Sequence, residues 1–221
     1  MYLKMSKNFY RTKPGYLEKI TKEMNKPSLI VIAGRPQTGK TSISLEIASN
    51  ALKENTYVVI FNLEMSKNWC RKRILSSDAF SDTGELEVEN LYIDDTPAIS
   101  VQKIREKCIF LKREKNLGLI VIDYLQLVEI DKVDYLIDEK NNEISKSLKV
   151  LAQELDVCIL LISQLSKTEG LRKPTFSDLK YSKCLINDAD IIIFLNQDNH
   201  NNLEILKFEK SKNWIVYYPE H

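Results

Sequence analysis

The sequence predicts an α/β protein with a largely parallel central sheet flanked by helices on both faces. Short apolar runs rich in β-branched residues alternate along the chain with segments whose apolar residues recur at helical spacing. The runs are apolar at every position, which is typical of strands buried on both faces. With 221 residues, 43% of them hydrophobic, the chain can bury a full core. We expect one domain over residues 14–221, preceded by a basic arm over residues 1–13.

Strand and helix signals follow one another through the first half of the chain. In order, they predict a helix over 14–26, a strand over 29–33, a helix ending near 55, a strand over 57–62, a helix over 67–77 and an acidic surface loop to residue 90. Pro14 is favoured in a first helical turn, and Pro27 ends that helix. Ser66 has the side chain and the position of a helix N-cap.

The second half repeats the alternation and ends differently. It predicts strands over 91–93, 119–123, 157–163 and 191–195, and helices after residue 100 and over 144–155. Ser100 is a predicted N-cap, and Gly118 is the expected C-terminal end of that helix because glycine readily ends helices. The last two apolar runs, over 203–208 and 214–218, predict an antiparallel edge.

Composition excludes several classes of function. The 32 basic residues nearly cancel the 31 acidic ones, so net charge argues neither for nor against a polyanionic partner, although the first 26 residues are locally basic. The four cysteines lie far apart and there are two histidines, so neither a disulfide framework, a zinc site nor a histidine-based triad is indicated. The sequence shows neither a signal peptide nor a membrane span, and we expect a cytoplasmic protein.

A phosphate-binding loop is predicted where the first strand meets the first long helix. The segment fits G-x-x-x-x-G-K-[ST] and has the strand and helix that this chemistry needs on either side. Backbone N–H groups and the positive helix end would face a triphosphate. Lys40 would reach its β/γ-phosphates, and the Thr41 hydroxyl would bind Mg²⁺. The predicted nucleotide-binding residues are Gly34, Arg35, Pro36, Gln37, Thr38, Gly39, Lys40, Thr41 and Ser42.

Polar side chains follow three other strands, at the edge where parallel sheets bind ligands. Asp123 ends the 119–123 strand and could hold Mg²⁺ through water. Glu64 follows the 57–62 strand and could orient or deprotonate an attacking water. Gln164 follows the 157–163 strand, where its amide could sense a γ-phosphate. From the residues alone, ordinary capping or surface roles stay open for all three.

Five further motifs, taken in order with the phosphate loop, resemble the motor domain of the bacterial replicative helicase family DnaB. They are Asn62-Leu63-Glu64-Met65-Ser66, the stretch 119–127 (LIVIDYLQL), Ile162-Ser163-Gln164-Leu165-Ser166, the stretch 173–180 (KPTFSDLK) and Asp188-Ala189-Asp190. The resemblance implies a RecA-like fold, ATP and Mg²⁺ bound between neighbouring subunits, a hexameric ring, and single-stranded DNA in its channel. On the matching positions, Lys40 and Thr41 contact phosphate and metal, Asp123 supports the metal, Glu64 is catalytic and Gln164 is the sensor.

The resemblance also implies a DNA-contacting loop, with departures from the family pattern. Lys180, Tyr181 and Lys183 stand where the family usually has Arg, Glu and Gly. Lys180 and Lys183 could hold phosphates. Tyr181 could stack on a base, although a packing role stays open.

Two further departures concern assembly. The family's N-terminal domain has no counterpart in this sequence. Lys210 and Lys212 occupy the place of the family's arginine finger, whose bidentate contact lysine cannot reproduce. A lysine pair serves the related RecA recombinases, so both lysines are candidate catalytic residues; exposed lysines on an edge strand are the alternative.

Two other functions therefore stay open. One is a RecA/RadA-like recombination or repair ATPase, and the other is a non-unwinding protein that docks on a related helicase. The sequence leaves duplex unwinding, polarity and loading partner undetermined.

Overall fold

One eight-stranded sheet organises the residues described by the computed structural model, which are 27–76, 88–132, 134–166, 172–179, 183–197, 203–209 and 215–217. Its strands are β1 (Ser28–Gly34), β2 (Tyr57–Asn62), β3 (Leu91–Asp94), β4 (Leu117–Asp123), β5 (Cys158–Gln164), β6 (Ile191–Gln197), β7 (Leu203–Glu209) and β8 (Ile215–Tyr217). The order across the sheet is β3-β2-β4-β5-β1-β6-β7-β8. Strands β1 to β6 pair in parallel, and β7 and β8 add an antiparallel edge, as the sequence predicts.

Helices cover both faces of this sheet. They are α1 (Lys40–Lys53), α2 (Lys67–Leu75), α3 (Val101–Glu114), α4 (Ile137–Leu155) and the short α5 (Cys184–Asp188). Helices α1 and α2 pack on one face, and α3, α4 and α5 on the other. Successive residues of β1 alternate between the two cores, with Ile30 facing α1 and Val31 facing the opposite layer. The predicted α/β class, with helices on both faces, is confirmed.

Both predicted N-caps are confirmed. The Ser66 hydroxyl accepts the N–H of Trp69 at 3.3 Å, and α2 begins at the next residue. The Ser100 hydroxyl accepts the N–H of Lys103 at 3.4 Å at the start of α3. These bonds satisfy backbone donors that have no partner within the helix.

The predicted end of α3 is wrong. The helix ends at Glu114, and Gly118 is the second residue of β4. A Cβ at position 118 would lie 2.6 Å from Cγ2 of Thr56, so the glycine allows a close approach at the start of β2 and β4.

Several sequence predictions fall outside the described residues. These are the arm and first helix over 1–26, most of the acidic loop, and the site candidates Lys180, Tyr181, Lys210 and Lys212. All four cysteines are described, and all are free thiols. Among the described helices, none combines the length and the apolar character needed to cross a membrane.

Candidate functional site

Four strand ends meet at the carboxyl edge of the sheet. Gly34 at the end of β1 is in register with Gln164 at the end of β5. Asn62 at the end of β2 is in register with Asp123 at the end of β4, and the N–H of Leu63 donates to the Asp123 carbonyl at 2.7 Å. The fold therefore brings the segments carrying Lys40, Glu64, Asp123 and Gln164 to one edge.

The predicted phosphate loop connects β1 to α1. Gly39 has φ 86° and ψ 15°, a left-handed conformation that glycine adopts without strain, and α1 begins at the next residue. The Arg35 carbonyl accepts the Lys40 ammonium at 2.8 Å and the Thr38 hydroxyl at 2.9 Å. Pro36 and Gln37 are exposed at the tip, and Ser42 lies in the first turn of α1. The loop thus presents the N-terminus of a 14-residue helix, a favourable site for an anion.

Thr41 and Asp123 form the closest contact between the two predicted metal-binding segments. The Thr41 hydroxyl donates to Oδ2 of Asp123 at 2.6 Å, and Asp123 is 2% exposed. A hydroxyl and a carboxylate are the hard oxygen ligands that Mg²⁺ prefers. Mg²⁺ is commonly bound by one or two carboxylates together with the phosphates of a substrate. The residues fit the ion.

Lys40, Glu64 and Asp123 are close enough to interact electrostatically. Burial lowers the pKa of Lys40, although the charges of Asp123 and Glu64 oppose that shift. Burial raises the pKa of Asp123, and the negative charge of Glu64 adds to the rise, whereas the Thr41 hydrogen bond and Lys40 oppose it. A cation and two carboxylates therefore lie near one another, with Asp123 buried and Glu64 exposed, and perturbed groups such as Lys40 and Asp123 are expected where a charged ligand binds.

Asn62 fixes the backbone of the segment that carries Glu64. Its Oδ1 accepts the N–H of Glu64 at 3.2 Å and that of Met65 at 2.7 Å, and the residue is 1% exposed. Such a turn, closed by an asparagine side chain, restricts where the Glu64 carboxylate can reach. Sequence analysis missed this role; the signal available was a polar residue ending an otherwise apolar strand.

Gln126 holds the backbone of Gln164. Its Nε2 donates to the Gln164 carbonyl and to the Ser163 hydroxyl, both at 3.2 Å, and its Oε1 accepts the Gln164 N–H at 3.3 Å. The amide thus pairs with the end of β5 as a neighbouring strand would. Sequence analysis missed this residue as well, although it lies within one of the quoted motifs.

The remaining candidates are less closely associated with this edge. Lys183 is exposed at the N-terminus of α5, a helix whose Leu185 packs in the same core layer as α3 and α4. The Arg35 side chain leads away from the loop, to Asn196 on β6 and to the carbonyl of Arg172.

Comparisons with known proteins agree with this geometry. Residues 11–87 and 77–217 match the family described as DnaB-like helicase C terminal domain. The chain belongs to this family. It is 39% identical to the replicative DNA helicase DnaB of Geobacillus stearothermophilus over 90% of this chain and 48% of that protein. It is 36% identical to the replicative DNA helicase DnaC of Bacillus subtilis (strain 168), over 85% of this chain and 47% of the relative.

Two solved structures show the same fold. An ATPase domain superimposes with a TM-score of 0.76 at 30% identity, covering 87% of this chain and 80% of that one. The second structure is a DnaB-like replicative helicase, studied with its interactions with primase. It superimposes with a TM-score of 0.73 at 29% identity, covering 88% of this chain and 54% of that one. The RecA-like fold is thereby confirmed. The chain spans about half the length of the curated relatives it matches, and those relatives are replicative helicases rather than recombination proteins.

Proposed function

We propose that this chain is the ATP-hydrolysing motor of a DnaB-like replicative helicase, which binds single-stranded DNA and moves along it by cycles of hydrolysis. The observation that carries the proposal is the meeting of the phosphate loop with Asp123, through the 2.6 Å contact to Thr41, beside the Glu64 segment. Family membership and the names of the relatives support it.

The reaction is attack of water on the γ-phosphorus of ATP. Glu64 orients the water and accepts its proton, while Asn62 holds the Glu64 backbone in place. Lys40 exchanges the Arg35 carbonyl for phosphate oxygens and offsets their charge. Gln164 contacts the γ-phosphate, and its displacement on product release is passed to the loop that follows β5. Thr41 and Asp123 would hold Mg²⁺, which would neutralise charge on the phosphate oxygens.

DNA binding and assembly complete the proposal. Lys180 and Lys183 contact the DNA backbone, and Tyr181 stacks on a base. The subunits form a hexameric ring, alone or with a related helicase subunit, in which Lys210 and Lys212 reach the nucleotide of the neighbouring subunit. Both lysines supply positive charge where the family has its arginine finger, so we expect lower activity than a bidentate arginine gives.

The Glu64→Gln variant tests the catalytic assignment. The amide keeps the size of the side chain but cannot accept the proton, so turnover of ATP should fall about 10²-fold or more while nucleotide binding is retained. Steady-state hydrolysis and equilibrium binding of a nucleotide analogue measure the two quantities.

Glu114→Gln is a matched control, because Glu114 is exposed at the end of α3, beside the start of β4 at the opposite edge of the sheet. Its turnover should equal that of the wild type. Undiminished turnover in Glu64→Gln would remove Glu64 from the mechanism, and loss of nucleotide binding in that variant would make its role structural.

A further inference from the structure

The Arg35 side chain joins the phosphate loop to a segment distant in sequence. Its Nη1 donates to Oδ1 of Asn196 at 3.1 Å, and its Nη2 donates to the carbonyl of Arg172 at 2.9 Å. Asn196 is 2% exposed, and its Nδ2 donates to Glu204 on β7 at 2.9 Å, so its oxygen is directed to Arg35. A planar guanidinium can bridge two acceptors in this way, whereas an ammonium on a flexible stem is not held in such a fork.

The far end of this connection is Asp178. Both terminal nitrogens of Arg172 donate to its carboxylate, at 2.8 and 2.5 Å, and the Thr175 N–H donates at 2.8 Å. Burial alone would raise the pKa of Asp178, but these hydrogen bonds and the charges of Arg172 and Arg35 outweigh it and lower the pKa. Asp178 therefore stays ionised and paired, two residues before Lys180.

The near end of the connection lies within the phosphate loop. The Arg35 carbonyl is the acceptor for Lys40 and Thr38 within the loop. If Lys40 binds phosphate oxygens instead, the Arg35 carbonyl loses this charged hydrogen-bond donor. The side chain of the same residue, Arg35, makes the contact to Arg172. Two side chains, those of Arg35 and Arg172, therefore connect the loop to Asp178.

We propose that Arg35 and Arg172 form a side-chain tether that couples nucleotide binding at the phosphate loop to DNA binding at the loop after Asp178. The tether rests on the proposed function, because it needs both ligands. Both arginines act as positioning residues. Coupling between two sites is reciprocal, so nucleotide should tighten or weaken DNA binding by the factor by which DNA changes nucleotide binding.

The test measures this factor in equilibrium binding. The dissociation constant of a labelled oligothymidine is measured with and without a nonhydrolysable ATP analogue and Mg²⁺, and the reverse titration checks reciprocity. The wild type should show a factor of about fivefold or more. Arg35→Lys and Arg172→Gln should each bring this coupling factor to within about twofold of unity, whatever the affinity of each variant for nucleotide or oligothymidine alone.

Arg105→Gln is the matched control. Arg105 on α3 pairs with Glu154, and its side chain is 41% exposed, against 49% for Arg172 paired with Asp178. The control should keep the wild-type factor. Because Asp178 is nearly buried and loses its charged partner in Arg172→Gln, thermal unfolding of that variant is compared with that of the wild type.

Each other outcome overturns the tether. A wild-type factor preserved in both variants, or lost in Arg35→Lys alone, would reject it while leaving the proposed function intact. A wild type that binds both ligands independently would reject it in the same way. A wild type that fails to bind nucleotide or oligothymidine would reject the proposed function and the tether together.

Discussion

At the scale of single residues, the site depends on side chains that orient other residues. Asn62 and Gln126 each use an amide to fix a backbone segment, one beneath Glu64 and the other at Gln164. Gln126 both donates and accepts through its amide, whereas Asn62 accepts both of its bonds through Oδ1. Displacement of a reacting group by about 1 Å can cost about 10²-fold in rate, so such supports matter to turnover.

We expect Gln126→Leu to lower ATP turnover about tenfold while the dissociation constant for ATP changes less than about twofold. Leucine keeps the volume but leaves the Gln164 N–H and carbonyl without this partner. Gln126→Glu, which keeps the acceptor for the Gln164 N–H, should be intermediate. Steady-state kinetics and nucleotide titration separate the two quantities.

Gln153→Leu on the exposed surface of α4 controls for the loss of an amide elsewhere. An equal loss of affinity and turnover in Gln126→Leu would point to general disruption of the site and would contradict a positioning role.

The sequence predicted the phosphate loop but not these supports, for a physical reason. A phosphate loop acts through consecutive backbone groups at fixed spacing, so its pattern is local and readable. Gln126 acts on Gln164, 38 residues away, and Arg35 acts on Arg172, 137 residues away. Those pairings depend on strand register, which a single sequence does not specify.

At the scale of elements, caps were predictable and one boundary was not. Ser66 and Ser100 interact within their own first helical turn, so local chemistry decides them. Gly118 was expected to end α3 but lies in β4, where the approach of Thr56 requires the absence of a side chain. Glycine is therefore required at this position by a contact with Thr56 and not by the end of α3.

Gly118→Ala should lower the free energy of unfolding by about 1–3 kcal/mol, because the new methyl group would meet Cγ2 of Thr56 at 2.6 Å. Thr56→Ser removes that methyl group, so the double variant should regain most of the loss. Urea denaturation of the wild type, both single variants and the double variant gives the interaction energy directly. Additive effects of the two substitutions would show that the close approach is not the constraint.

At the scale of the whole molecule, the proposed ring divides one active site between two subunits. Glu64 would come from the subunit that binds the nucleotide, and Lys212, outside the described residues, would come from its neighbour. This arrangement is a heterologous contact, in which each subunit offers different surfaces to its two neighbours.

Mixing two inactive variants tests this division. Glu64→Gln and Lys212→Ala should each have little activity alone. In mixed rings, about a quarter of the interfaces would combine an intact Glu64 with an intact Lys212, so activity should reappear. A coupled hydrolysis assay on mixtures, with and without single-stranded DNA, measures it. Activity that stays at the average of the two variants would contradict action between subunits.

The position of β1 has a consequence for how the chain is made. Of the described strands it leaves the ribosome first, yet its partners are β5 and β6, which are synthesised last among the parallel strands. Until then its hydrogen-bonding edges have no native partner, which is the situation that invites aggregation of nascent chains. Folding of the nascent chain should therefore depend on chaperones that shield β1 until the residues near 191 emerge.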